Sequence, residues 1–102
     1  MATTPEELTL AARAHVPRHV VYRRFAAETV VLNLETGTYH GLNATGGRML
    51  ELLESSADVA EAAHRFAAAH GRELPEVEAD VIAFCERLHR RGLIELTVDG
   101  PR

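Results

Sequence analysis

The chain has no lysine. Its 11 Lys and Arg residues are all arginine. A Gly-Lys-Ser/Thr phosphate loop is therefore impossible, and no G-x-G-x-x-G occurs. The glycines clustered at Gly37, Gly41, Gly46 and Gly47 read instead as turn and cap residues. Cysteine occurs once, at Cys85, which excludes an intrachain disulfide and fits a reducing compartment. It sits in the apolar helical stretch Val81-Ile82-Ala83-Phe84-Cys85. A thiol there serves as a small hydrophobe rather than a nucleophile, which needs an electropositive, partly exposed setting. Long apolar runs are also missing, so no segment is expected to enter a membrane. The start, Met1-Ala2-Thr3-Thr4-Pro5-Glu6-Glu7, lacks the basic and apolar regions of a secretory signal, and a cytoplasmic location is expected.

What remains is one domain's worth of ordinary globular sequence: 102 residues, 46% hydrophobic and 25% charged, with a formal charge of −4. Arg13, Arg18, Arg23 and Arg24 outnumber Glu6 and Glu7 near the start, and the rest is net acidic. That balance argues against non-specific nucleic-acid binding, which depends on neutralising phosphates.

The front of the chain is β-like and the back helical. Residues 1–18 read as a mobile N-terminal arm, with a loose helix over Glu6–Ala14 as the alternative. His19–Phe25 and Glu28–Leu34 read as strands joined at Ala26-Ala27. In the second, Val30, Leu32 and Leu34 share one face, and Thr29, Val31 and Asn33 the other. Glu35-Thr36-Gly37 reads as a tight turn into a third strand, Thr38–Leu42. Asn43 then caps a helix through Gly47–Glu54. Asp58, with Glu61 three residues on, starts a second helix that Gly71 ends. Pro75 opens a third, whose buried stripe is Val77, Val81, Phe84 and Leu88 and which Gly92 stops. Leu93–Val98 adds a short terminal strand, and residues 99–102 are a tail. The expected fold is α+β and winged helix-turn-helix-like, a three-stranded antiparallel meander followed by three helices, with the domain over residues 19–98.

The run Val30-Val31-Leu32-Asn33-Leu34-Glu35-Thr36-Gly37-Thr38-Tyr39-His40-Gly41-Leu42-Asn43 resembles the strand, turn and Y-x-G-L-N segment of PqqD-like proteins. These are the recognition elements for precursors of ribosomally made, modified peptides. The likeness continues through Arg48–Leu53, Asp80–Phe84 and Gly92-Leu93-Ile94. The front segment is most similar to the stand-alone B1 proteins of lasso-peptide biosynthesis. That resemblance implies a non-catalytic protein with no cofactor. It would bind the leader of a precursor peptide and present it to a separate cysteine protease of B2 type. The leader would add as a strand to the third strand, in a groove shared with the third helix. The extension before His19 is longer than the resemblance requires.

The residues by themselves permit that mode, with an edge covered by the chain's own tail or by neighbouring molecules as the equal alternative. An edge strand is a template for another chain unless Pro, Lys or inward charge blunts it, and Thr38–Leu42 carries none of these. The strand side of the expected site is Thr38, Tyr39, His40, Gly41 and Leu42. On the helix side are Val81, Ile82 and Cys85, because Ile82 and Cys85 lie beside the core stripe. Ile82 packing under the arm or the terminal strand is the alternative.

Other chemistries find little support. His15 and His19 are separated by Pro17, and His64 and His70 are poorly spaced for a shared metal, so no metal site is expected. Glu51 and Glu54 read as a solvated helix face, and Ser55 and Ser56 have no nucleophile context. The alternative function is a DNA-binding winged-helix regulator. Its reading helix would be the third, but Glu76, Glu78 and Asp80 occupy the half that normally meets bases. No nucleic-acid partner is expected. The purified chain should therefore leave a precursor peptide intact and should accelerate a partner protease. Cleavage by the chain alone that is abolished in Cys85→Ala would contradict this.

Overall fold

The computed structural model describes residues 4–98. In chain order the elements are α1 (Pro5–Ala11), β1 (Arg13–His15), β2 (Val20–Arg24), β3 (Glu28–Asn33), β4 (Tyr39–Asn43), α2 (Ala44–Glu54), α3 (Val59–His70), α4 (Leu74–Arg90) and β5 (Glu95–Thr97). The α+β meander is present, with β3 between β2 and β4 in an antiparallel sheet. Three helices follow it, as expected. A fourth, α1, precedes it.

The stretch read as an arm is thus built into the fold. Thr4 Oγ1 accepts the Glu7 N–H at 3.1 Å, and the Glu7 carboxylate accepts the Thr4 N–H at 3.0 Å. This reciprocal cap starts a seven-residue helix that packs against α3 and α4. β1 then pairs antiparallel with β5, Arg13 opposite Thr97 and His15 opposite Glu95. The Val59 N–H also bonds the Ala12 carbonyl at 2.8 Å, tying the segment to the start of α3. The polar sequence hid these elements because α1 buries no residue of its own. The tail expected over residues 99–102 lies outside the described residues.

The caps fall where the side chains direct them. Asn43 Oδ1 accepts the Gly46 N–H at 2.7 Å, and Asp58 Oδ1 accepts the Glu61 N–H at 2.8 Å. Gly71 ends α3 in the left-handed region. Asn33 Oδ1 takes the amides of Glu35 and Thr36, and Gly37 completes that turn at φ +75°. The core is a single cluster between the sheet and the helices, centred on Val31, Leu50, Leu53, Val59, Val77, Val81 and Leu88. Among the described residues no helix is long and apolar enough to cross a membrane.

β3 faces the core with its more polar side. Thr29, Val31 and Asn33 are buried, whereas Val30 and Leu32 are half-buried and Leu34 is exposed. The cause is the close approach of α2. A Cβ on Gly47 would stand 2.1 Å from Thr29 Oγ1 and 2.9 Å from Thr29 Cβ, far inside contact distance. Alanine is about 1 kcal/mol better than glycine inside a helix. Overpacking costs about 1–3 kcal/mol or more, and a clash with an atom so near the backbone falls at the upper end. The clash should win. Gly47→Ala should lower the melting temperature by roughly 5–15 °C, taking about 4–8 °C per kcal/mol for a domain this small. Gly41→Ala, whose added methyl meets nothing within 4 Å, should leave it nearly unchanged.

Candidate functional site

Two edges of the meander are free, and they differ. β2 carries Arg23 and Arg24. The Arg24 guanidinium holds Glu51 of α2 at 2.9 Å, and Tyr22 donates a short hydrogen bond to Glu54. Burial, and then the Glu54 carboxylate, push the Tyr22 phenol well above its ordinary pKa, so Tyr22 is a fixed donor. Glu51 and Glu54 are therefore occupied in holding β2 to α2. β4 has no such ties. It presents Tyr39, His40 and Gly41 along an edge that no strand covers among the described residues.

The ladder shows which β4 amides are available. The Asn33 N–H bonds the Thr38 carbonyl, and the register then runs Leu32–Tyr39, Val31–His40, Val30–Gly41 and Thr29–Leu42. Antiparallel pairs alternate between bonded and non-bonded. Thr38, His40 and Leu42 therefore turn their peptide groups towards β3. Tyr39 and Gly41 turn theirs outward.

Beside this edge lies a groove of about 490 Å³ between β4 and α4. Its floor is apolar, made by Leu42, Met49, Phe66 and Phe84. Gly46 keeps it open: a Cβ there would stand 3.4 Å from Leu42 Cβ and 3.5 Å from Phe84 Cε1. Ala83 forms part of the α4 wall, and Arg72, Asp80, Arg87 and Arg91 stand at the rim. Arg72 and Asp80 pair at 2.9 Å. The Arg87 guanidinium lies 5.7 Å from the Phe84 ring centroid.

Of the sequence-derived site, the strand half lies at this groove and edge. Gly41 and Leu42 line the groove. Tyr39 is 75% exposed, His40 is half-buried, and Thr38 leads into the strand. The helix half does not. Val81 and Cys85 are fully buried, Ile82 is 8% exposed, and none lines the groove. At about 100° per residue, Asp80, Ala83, Phe84, Arg87 and Arg91 share the arc facing the groove. Val81, Ile82 and Cys85 sit on the arc facing the core, where α1 and α3 cover α4. Burial pushes the Cys85 thiol up to about 12, so it stays protonated at neutral pH and is a poor nucleophile. Met49 and Phe66 reach the groove from α2 and α3, which no spacing within β4 or α4 reveals. Phe84 belongs to the core stripe and occupies its border on the groove side.

Several of the remaining candidates have structural partners. His15 bonds Glu95 at 2.8 Å across β1 and β5, and the His70 ring stacks on Phe66 with centroids 4.0 Å apart. Ser56 Oγ accepts from Arg65 at 2.8 Å. Among the described residues no three metal-binding side chains converge. A second, shallow apolar depression lies on the outer face of the sheet, lined by Val21, Phe25, Val30 and Leu32.

Residues 28–94 match the family model of coenzyme PQQ synthesis protein D (PqqD). No curated protein is significantly similar to the chain. The fold is similar to that of TbiB1, solved in complex with the TbiA(beta) leader peptide. The TM-score is 0.75 and the identity 34%, over 83% of this chain and 99% of that one. It is also similar to a lasso peptide synthetase B1 complexed with the leader peptide. Here the TM-score is 0.74 and the identity 20%, over 82% of this chain and 99% of that one.

The two arcs of α4 should respond oppositely to charge. Ile82→Asp places an unpaired carboxylate in the core, at a cost of about 3–5 kcal/mol, and should lower the melting temperature by more than 10 °C. Ala83→Asp, on the exposed groove wall, should shift it by only a few degrees. Thermal denaturation of the two variants checks this.

Proposed function

The chain belongs to the PqqD family, and on that premise we propose that it captures the leader of a ribosomally made precursor peptide by strand addition to β4. It is a recognition protein, not an enzyme. The observation that carries the proposal is the unpaired β4 edge beside an apolar-floored groove. Main-chain bonds to Tyr39 and Gly41 would supply affinity without regard to sequence. Side chains entering between Leu42 and Phe84 would supply selectivity. Burying one aliphatic or aromatic anchor there contributes ~1.5–3 kcal/mol, about ten- to a hundredfold in affinity. Thr38–Leu42 is the proposed peptide-contacting strand. On the helix, Phe84 and Ala83 replace Val81, Ile82 and Cys85 as proposed contacts.

The likeness to a B1 protein and to TbiB1, each solved with a leader peptide, supports a lasso-peptide pathway as the setting. In that setting the partner would be a separate cysteine protease of B2 type, which receives the leader from this chain. The cytoplasm is the proposed location, where an unpaired thiol such as Cys85 stays reduced. A DNA-reading role is disfavoured by Glu76, Glu78 and Asp80 in the N-terminal half of α4.

Proline substitution along β4 tests the mode of capture. Gly41→Pro removes an outward-facing donor and should weaken binding of a fluorescein-labelled leader peptide by about tenfold or more, with the fold retained. His40→Pro removes a donor facing β3 and should instead destabilise the sheet. Fluorescence anisotropy and circular dichroism of both variants separate the effects. Unchanged binding by a folded Gly41→Pro would exclude strand addition at this edge.

A further inference from the structure

The rim of the groove has an uneven charge. The chain as a whole is net acidic, yet three arginines and one aspartate line this groove. Arg72 and Asp80 satisfy each other at 2.9 Å. Arg87 and Arg91 make no ion pair among the described residues. Basic residues in the last turn of a helix are often explained by the helix dipole. That explanation covers Arg90, which does not line the groove. It does not explain why Arg87 extends over the Phe84 ring on the groove floor, held 5.7 Å from its centroid. The guanidinium thus sits over the apolar floor, at the solvent-exposed rim, within reach of a group that occupies the groove.

Resting on the proposed capture of a peptide at β4, we propose that Arg87 and Arg91 form a carboxylate-binding subsite, so that the bound peptide presents an Asp or Glu beside its apolar anchor. The basic pair has a defined place along the strand. Gly92, just past the end of α4, approaches Asn33, whose amide bonds the Thr38 carbonyl. The pair therefore lies towards the Tyr39 end of β4. Phe84 lies against Gly46 beside Leu42, so Asp80, one turn earlier on α4, and the Arg72 paired with it fall on the Asn43 side of the groove. A peptide is then read by two features at once: an apolar side chain on the floor and a negative charge on one side of it.

Selection from a yeast-displayed library of random 12-residue peptides tests this. Wild-type protein should enrich sequences with Asp or Glu at a fixed spacing from an apolar residue. Changing that acid to its amide should weaken binding by about tenfold. The double variant Arg87→Glu with Arg91→Glu should invert the selection towards Arg or Lys, whereas Arg90→Gln should leave it unchanged. A merely structural role for Arg87 could not produce the inversion. Binders that depend on Gly41 but show no acidic preference would overturn the subsite and leave peptide capture standing. Failure to select any binder, or binders unaffected by Gly41→Pro, would overturn capture at β4 and the subsite with it.

Discussion

Between Gly47 and Thr29 there is room for a hydrogen atom and little else. That close approach of α2 to β3 sets the height of the helical layer above the sheet. A short polar side chain at position 29 and a missing one at position 47 let the two backbones close without a void. The neighbouring Gly46 does something different. It points towards Leu42 and Phe84 rather than at β3, and its missing Cβ keeps the groove deep. Two adjacent glycines at the start of one helix thus separate two tasks, one fixing the layer and the other leaving space in front of it.

The charges complement this division. On the β2 side, Tyr22 and Arg24 reach across to Glu54 and Glu51, so that edge is clasped to α2. Exposed ion pairs contribute little stability one by one. Their greater effect here is to place charge along an edge that could otherwise pair with another chain. The β4 edge lacks that protection and has Gly41 at its centre, where nothing stands within 4 Å of a would-be side chain. The two edges thus differ in how far they are protected against pairing with another chain.

The meander, its turn at Gly37 and the caps at Asn43 and Asp58 were legible in the sequence because each rests on local rules: alternation, a positive φ, a side chain reaching an amide three residues on. The exposed β4 edge followed from the same local signals. The face of α4 that lines the groove did not. The choice between Ile82 and Phe84 as the groove-facing residue depends on what covers the other side of α4, and that cover is supplied by α3 and by α1, which reads as a polar arm. β1 was invisible for a related reason. Arg13-Ala14-His15 becomes a strand only through pairing with Glu95–Thr97, some eighty positions away. The outward face of β3 was the least legible, because Val30, Leu32 and Leu34 are more apolar than the residues that are buried.

The β1–β5 pairing also bears on the order in which the molecule assembles. It closes nearly the whole chain into one loop, so most of the closure entropy is spent before its few bonds return anything. Contacts of that sequence separation form late, after the local hairpins and the α3–α4 pair have condensed. They are also among the first to open in the native state, since the ladder is only three residues long and, Ala14 apart, its own residues are half-buried or exposed. Hydrogen exchange should then find the amides of β1 and β5 leaving and rejoining together, as one cooperative unit, while those of β3 exchange only on global unfolding.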